Sequence, residues 1–478
     1  MAACEDHTVM PQRGPWMLCA MAALLLSPSS DPASADISPP QDVYELRARD
    51  PQQPVQPPVN LLFPRWQEER RASLYGWVDC GIGGNTLGSD FNGPIGLQDR
   101  NLQAMMNQLY VVGERLIDVE SDDWQWGARV DLLYGTDGWQ TNARGLDAYA
   151  FNQFDNFGVP CWDSSRYYSL AMPQLYGEIA RGDVSVLVGH FYTPLGYETV
   201  PAVGNFFYTH SYAFMYATPN THTGVIVYWQ PSDGIRIGSG VTNGWDNFSD
   251  GVPAAANPDY PGAASNLAYL GSLTLASEDG GQLLTVAIST GNEYAPVVDP
   301  TGNPQGVLVG NRSMITAYWQ NELAERLTSV TEGYAAWQFN ADTGLHNRGQ
   351  LDGLAQWYGI SQYLYRGLTD TLSAGLRLEW YRDNNGFRTA YPARNAATNT
   401  APVADGYAGN LWGATVGCNW TPTANWIVRP ELRYDWYTPS SYGTGALPFG
   451  PITTRPGGLV TGDAYGQWYL GCDAIFQF

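Results

Sequence analysis

The chain has 478 residues, 44% hydrophobic and only 15% charged, with a formal net charge of −22. Every basic residue is an arginine, and so large an excess of carboxylates leaves nothing to neutralise phosphates, which argues against a nucleic-acid partner. A mean hydropathy of −0.27 and the lack of any apolar run near the roughly 20 residues of a membrane helix exclude a helical membrane protein. The acidity itself has two readings: a solvated surface, or an acidic vestibule that enriches cations.

At the front, Arg13 precedes the apolar stretch Trp16 to Leu26, and Ala33-Ser34-Ala35 has the small-residue form of a signal-peptidase site. Residues 1–35 therefore read as a secretory signal peptide and not as a membrane anchor. Glu5 and Asp6 are acidic where such a signal is basic, and a start at Met10 restores an ordinary one. Leu18 before Cys19 is wrong for a lipoprotein processing site, so no N-terminal lipid is expected. Residues 36–70 are rich in Pro and Gln without an apolar period and read as a periplasmic linker, extended where Pro dominates.

From residue 71 to 478 one unit repeats: a strand of about ten residues, a connector, another strand. Strand starts fall near residues 73, 106, 124, 171, 184, 222, 234, 267, 281, 313, 326, 354, 370, 411, 425 and 468, sixteen in all. The connectors alternate. Short ones are Arg181 to Asp183, Pro231 to Asp233, Glu278 to Gly280, Arg366 to Thr369 and Thr421 to Ala424; long ones span 136–169, 192–220, 243–266, 290–311, 383–409 and 437–466. A soluble β-sandwich has no reason to alternate in this way, whereas a membrane barrel has tight periplasmic turns and longer external loops.

Within strands, apolar and polar residues alternate, as the two faces of a strand require. Leu372, Ala374, Leu376, Leu378 and Trp380 oppose Ser373, Gly375, Arg377 and Glu379. Trp426, Val428, Leu432, Tyr434 and Trp436 oppose Arg429, Glu431, Arg433 and Asp435, with Pro430 expected to disturb the ladder. In the final segment Trp468, Leu470, Cys472, Ala474, Phe476 and Phe478 oppose Gln467, Tyr469, Gly471, Asp473 and Gln477. A C-terminal strand ending in Phe is similar to the insertion signal of bacterial outer-membrane barrels. The fold class expected is therefore all-β: a transmembrane antiparallel up-and-down barrel of about sixteen strands in the bacterial outer membrane, in contact with its lipid. The 18 Trp and 30 Tyr suit aromatic girdles at the two interfaces. Cys80, Cys418 and Cys472 fall at lipid-facing positions; Cys80 and Cys472, on the first and last strands, are a candidate pair.

Residues 73–478 resemble the putative β-barrel porin-2 family of bacterial outer membranes. The resemblance is carried by Leu74-Tyr75-Gly76-Trp77-Val78-Asp79, by the run Gly189 to Glu198 (GHFYTPLGYE), by Asn205-Phe206-Phe207-Tyr208 and Thr223-Gly224, and by Arg429 to Asp435 (RPELRYD). It implies a pore-forming protein and names no substrate. Sixteen strands also leave a lumen wide enough for a channel. The function expected is passive diffusion of small hydrophilic solutes or ions, with a homotrimer as the assembly by analogy with sixteen-stranded porins. Two other readings stand beside it, a barrel hydrolase and a structural surface protein. No G-x-S-x-G, H-E-x-x-H or Gly-rich phosphate loop is present, so no enzyme and no cofactor is expected.

The candidate site has two parts. The third external loop carries Glu198, Phe206, Phe207, Tyr208, His210 and Tyr212, and reads either as a constriction folded into the barrel or as a loop over the rim or a neighbouring subunit. The lumen side should carry Arg129, Asp131, Arg236, Arg377, Glu379, Arg429, Glu431, Arg433 and Asp435, either as a transverse field acting on solutes or as wall ion pairs satisfying one another. His190, His210 and His222 match no ligand spacing, and no metal is expected. Asp383 to Gly386 and Asp246 to Asp250 read as solvated turns in preference to calcium loops.

Overall fold

The computed structural model describes residues 62, 72–117, 121–149, 159–160, 167–249, 267–298, 304–339, 341, 353–389, 406–441, 445–454 and 460–478. The expected signal peptide lies outside the described residues, as does the linker apart from Leu62. Sixteen strands close into one barrel: β1 (Ala72–Asn85), β2 (Met105–Arg115), β3 (Gln125–Gly135), β4 (Ser169–Arg181), β5 (Val184–Tyr192), β6 (Thr221–Ser232), β7 (Ile235–Thr242), β8 (Ala268–Ala276), β9 (Gln282–Val298), β10 (Pro304–Ala324), β11 (Leu327–Gln338), β12 (Ala355–Gly367), β13 (Leu372–Asp383), β14 (Gly409–Thr423), β15 (Trp426–Pro439) and β16 (Gly466–Gln477). Each pairs antiparallel with its sequence neighbours, and β16 returns to pair with β1.

The alternation of the sequence becomes the two faces of the wall. On β13, Leu378 is 46% exposed on the outside while Arg377 is fully buried inside. An outward apolar face next to an inward charged one is the reverse of a soluble sheet and suits a hydrocarbon surround. Toward the long-loop rim the outer face carries a row of aromatic rings: Trp380 lies 5.8 Å from Trp412, Trp412 stacks 5.7 Å from Trp436, and Tyr434 meets Trp468 at 4.7 Å. Toward the short-turn rim Trp126, Trp229, Trp319 and Trp420 stand exposed. Many tyrosines do not join these girdles. Tyr110, Tyr363, Tyr365, Tyr381 and Tyr469 are buried on the inner face, where a ring fills space and its hydroxyl can meet a polar partner.

One local expectation changes, and the disturbance expected at Pro430 is present. The segment 290–311 is not a long loop: β9 and β10 stay paired from Gly291↔Arg312 up to Val298↔Pro304, leaving only 299–303 between them. Val297, Val298, Val307, Leu308 and Val309 favour extended backbone and carry the hairpin past its neighbours. Pro430 removes no residue from register. Gly417↔Glu431 and Trp420↔Val428 lie on one register, and only the rungs at Cys418 and Asn419 are missing, as expected of a residue without an N–H.

Closure is made by the last strand. β16 pairs with β1 from Trp77↔Gln477 to Asn85↔Tyr469, and Gly76 and Phe478 exchange backbone hydrogen bonds of 3.0 and 2.9 Å. The Phe478 ring lies where a side chain on Gly76 would stand. Cys80 and Cys472 sit on these two strands, opposite Ala474 and Ile82 respectively, and both are free, as is Cys418.

Candidate functional site: the third loop against the inner wall

The loop between β5 and β6 spans residues 193–220 and turns inward. Its backbone is braced by its own polar groups: Asn205 Oδ1 accepts from Thr199 N at 3.0 Å, and Asn205 Nδ2 donates to the carbonyls of Thr199 (2.6 Å) and Pro201 (3.1 Å). A short 3-10 turn, Ala202–Gly204, and a five-residue π turn, Ala213–Ala217, take up the rest of its curvature. Gly196 holds φ near +93°, a conformation that favours glycine, where the loop leaves β5.

The aromatic residues of the loop fit notches in the wall. Phe206 and Phe207 pack with Val330, Tyr363 and Tyr365. The Phe206 ring occupies the space a side chain on Gly375 would take, and the Tyr208 ring does the same at Gly81. Phe207 lies 3.2 Å from the corresponding position at Gly417. These inward glycines let the loop approach the wall backbone.

The charged residues of β13 and β15 meet the backbone of the loop. Arg377 donates to Glu198 Oε1 at 3.0 Å, to the Thr209 carbonyl at 2.6 Å and to the His210 carbonyl at 3.3 Å. Arg433 reaches the His210 carbonyl at 2.7 Å. Arg429 donates to the carbonyls of Ala202 (2.8 Å) and Asn205 (2.7 Å) while pairing with Asp473. The carboxylates accept the complementary donors: Glu431 from Thr209 N at 3.1 Å, Glu379 from Tyr212 N at 2.6 Å, and Asp435 from the Tyr212 hydroxyl at 2.6 Å. Arg377 and Arg433 share Glu379 at 3.3 and 3.2 Å, so loop and wall form one charge network away from water. Within the loop, Glu198 also faces His210 Nδ1 at 3.1 Å and accepts from Ser211 N at 2.8 Å. Burial pushes its carboxyl up, but Arg377 and His210 pull harder and hold it down at about 2.

Of the expected loop residues, Glu198, His210 and Tyr212 are joined directly to Arg377, Glu379, Arg433 and Asp435; Phe206, Phe207 and Tyr208 sit in the wall notches; and Arg429 and Glu431 hold the loop at Ala202, Asn205 and Thr209. Arg129 and Asp131 form a separate group on β3, 2.8 Å apart, with Glu114 at 3.4 Å from Arg129. Arg236 stands on β7, its guanidinium 3.8 Å above the Tyr228 ring. The three histidines do not converge. His190 and His222 occupy opposite faces of β5 and β6 by strand alternation, His190 bonded to Thr223 at 2.7 Å and His222 to Thr193 at 3.0 Å, while His210 belongs to Glu198. The two Asp side chains are taken up by backbone N–H groups, Asp383 by its own turn and Asp246 by the end of the third loop and the start of β6. Asp383 accepts from the N–H groups of Asn385 through Thr389, and Asp246 from those of Asn220 and Thr221.

Several anchors were not singled out from the sequence. Gln108 on β2 holds the Val200 carbonyl at 2.7 Å and Ala202 N at 3.0 Å, Glu332 on β11 holds Tyr197 N at 3.0 Å, and Tyr363 on β12 reaches Glu198 at 3.2 Å. Inward parity was the available signal. It marks a residue's face but not its partner across the lumen.

A closed sixteen-stranded antiparallel barrel with an apolar outer belt, aromatic rows and a loop drawn inside defines the architecture of outer-membrane porins. The family model described as putative beta-barrel porin-2, OmpL-like, matches residues 72–478, and the chain belongs to that family. It is a protein of the bacterial outer membrane. Among solved structures it is similar to the anion-selective porin from Comamonas acidovorans, with 10% identity, TM-score 0.52, and coverage of 85% of this chain and 99% of that one. It also matches OmpT of Vibrio cholerae at 9% identity and TM-score 0.49, covering 85% and 99%, and the channel DcaP of Acinetobacter baumannii at 10% and 0.48, covering 85% and 97%. At these identities the likeness concerns the fold alone. No curated protein matches the chain.

Proposed function

We propose that the protein is a diffusion porin, passing small hydrophilic solutes or ions through a lumen narrowed by its third external loop, without catalysis. The observation that carries this reading is the anchoring of residues 193–220 inside the barrel by Arg377, Arg429 and Arg433. A loop pinned at several points on the wall sets a fixed bore, as selection by size and charge requires. In this reading the inward Arg and carboxylate residues hold the loop first and act on solutes second. Arg236, half-buried and apart from that network, is proposed to meet the solute, while Arg129 and Asp131 are buried as a wall ion pair with Glu114. The export signal over 1–35, the linker over 36–70 and a homotrimeric assembly belong to the same proposal; sedimentation in detergent decides the last.

The test is single-channel recording of the detergent-purified protein in a planar bilayer under a salt gradient. Discrete open steps are expected, and the sign of the reversal potential gives the ion preference. An inserted but silent protein overturns the reading. Among the described residues no observation favours a hydrolase.

A further inference from the structure

The long-loop rim carries a second charge cluster that the anchoring of the third loop does not use. Three arginines from separate elements gather here, two of them beside one indole and the third joined through Glu293. Arg144 comes from the loop after β3, Arg312 from the extended part of β10, and Arg388 from the loop after β13. The guanidinium carbons of Arg312 and Arg388 lie 4.9 and 5.6 Å from the Trp245 ring, and Arg388 also lies 5.5 Å from the Trp357 ring. Trp245 and Trp357 meet edge to face at 6.2 Å and form an aromatic corner.

The carboxylates here are engaged by backbone and shared between cations, and they leave guanidinium donors unused. Glu293 is shared: Arg144 donates to its Oε2 at 3.2 Å, Arg312 stands 3.8 Å from the same oxygen, and Trp245 N takes Oε1 at 3.0 Å. Asp246 is close by, but its Oδ1 already accepts from Asn220 N, Thr221 N and the Thr221 hydroxyl. Arg388 uses Nε on the Tyr216 carbonyl at 2.6 Å, and among the described residues no acceptor meets its two terminal nitrogens. Arg144 Nε is buried without a hydrogen-bond acceptor. The Arg144 side chain keeps 22% of its surface exposed and Arg388 is half-buried, so solvent reaches both.

The positions are held firmly. Arg144 is tied through its backbone to Asp246 O at 2.9 Å and to Phe248 N at 2.9 Å, and Arg388 N donates to Asp383 at 2.8 Å. Guanidinium groups with spare donors match a polycarboxylate, which takes paired N–H donors in the plane of each carboxyl group. We infer that the external mouth holds a binding site for small organic polycarboxylates, with the solvent-reached Arg144 and Arg388 as its contacts and with buried Arg312, Trp245 and Trp357 as the packing that holds them in place. This rests on the porin reading in that such a site concentrates one solute class at the entrance of the lumen.

The test is titration calorimetry of the detergent-folded full chain with citrate at low ionic strength, beside Arg388→Gln, Arg144→Gln and the double variant. Folding of each is checked by heat-dependent gel mobility. Saturable citrate binding is expected, weakened about tenfold by either substitution and further by both. On the wild type alone, added sodium chloride should weaken binding, and glycerol, a neutral triol, should give none. Undiminished binding by a folded double variant, equal binding of glycerol, or no citrate binding at all overturns the site. Conductance separates the two readings: a silent protein that binds citrate keeps the site and loses the pore, and a conducting protein indifferent to citrate keeps the pore and loses the site.

Discussion

Strands β13–β16 and strands β6–β8 share one barrel, and their inner faces are built on opposite plans. The first carries Arg377, Glu379, Arg429, Glu431, Arg433, Asp435 and Asp473, all almost fully buried. The second carries a single formal charge, Arg236, among Gly224, Tyr228, Gly238, Ser272 and Thr274. The difference lies in what covers them. The charged sector faces the polar backbone of the third loop, and each buried ion has a counter-ion or a peptide group as its partner. The neutral sector makes few bonds to the loop and keeps Tyr228, Arg236, Ser272 and Thr274 partly exposed. Between these two sectors, the buried charge lies where the loop is fastened, and its scarcity marks the side the loop leaves alone.

That contrast can be broken from the charged side. Arg377→Ala should have the largest effect, since it leaves Glu198 and Glu379 buried without a guanidinium they share. A cost of roughly 3–5 kcal/mol in urea unfolding of the folded barrel is expected, with a larger and noisier single-channel conductance. An unchanged conductance and midpoint would mean that the loop is held by other contacts. Acid should loosen the same contact. The Glu198 carboxyl lies at about 2 in the folded protein against an ordinary 4.5, so its stabilising contribution is complete above pH 4.5 and is lost as pH falls toward 2. Conductance noise rising over that interval, and abolished as a pH effect in Glu198→Gln, is the expected record. Gly375→Val places a side chain in the space of the Phe206 ring and should cost about 1–3 kcal/mol by overpacking. Phe206→Ala in the same chain should relieve part of it, and a double variant no better than Gly375→Val would deny the contact. The smallest effect belongs to the opposite sector. Arg236→Gln removes a stacked cation and should change stability by less than about 1 kcal/mol, while shifting the reversal potential toward cations. A large loss of stability there would erase the distinction between the two sectors.

Much of this architecture is legible in the residues. Strand period, connector alternation and the terminal strand give sixteen staves because each strand must show lipid one face and the interior the other, a constraint written locally every second residue. The ends of β9 and β10 escaped because a hairpin rising beyond its neighbours has no lipid face to keep, so 290–311 loses the alternation without losing its pairing. Inner and outer tyrosines separate only when parity is followed residue by residue, as with Tyr469 inside and Trp468 outside. The loop was visible as an aromatic run, but its attachment was not. Gln108, Glu332 and Tyr363 grip it from strands far away in the chain, and contacts across a lumen leave no periodic trace. The glycine notches at Gly81, Gly375 and Gly417 likewise look like any other glycines until the ring that fills each is known.

The pairing of β16 with β1 has a consequence for the order of assembly. Trp77 meets Gln477, 400 positions further along the chain, so the seam forms between the two most distant staves. Until it forms, β1 and the other end of the growing sheet are open edges that any passing strand can extend. Contacts so remote in sequence are slow to find, because the entropy of the whole connecting chain is lost before the first rung forms. An unsealed sheet exposes both edges to aggregation, and the pair of bonds between Gly76 and Phe478 belongs to the step that ends that exposure.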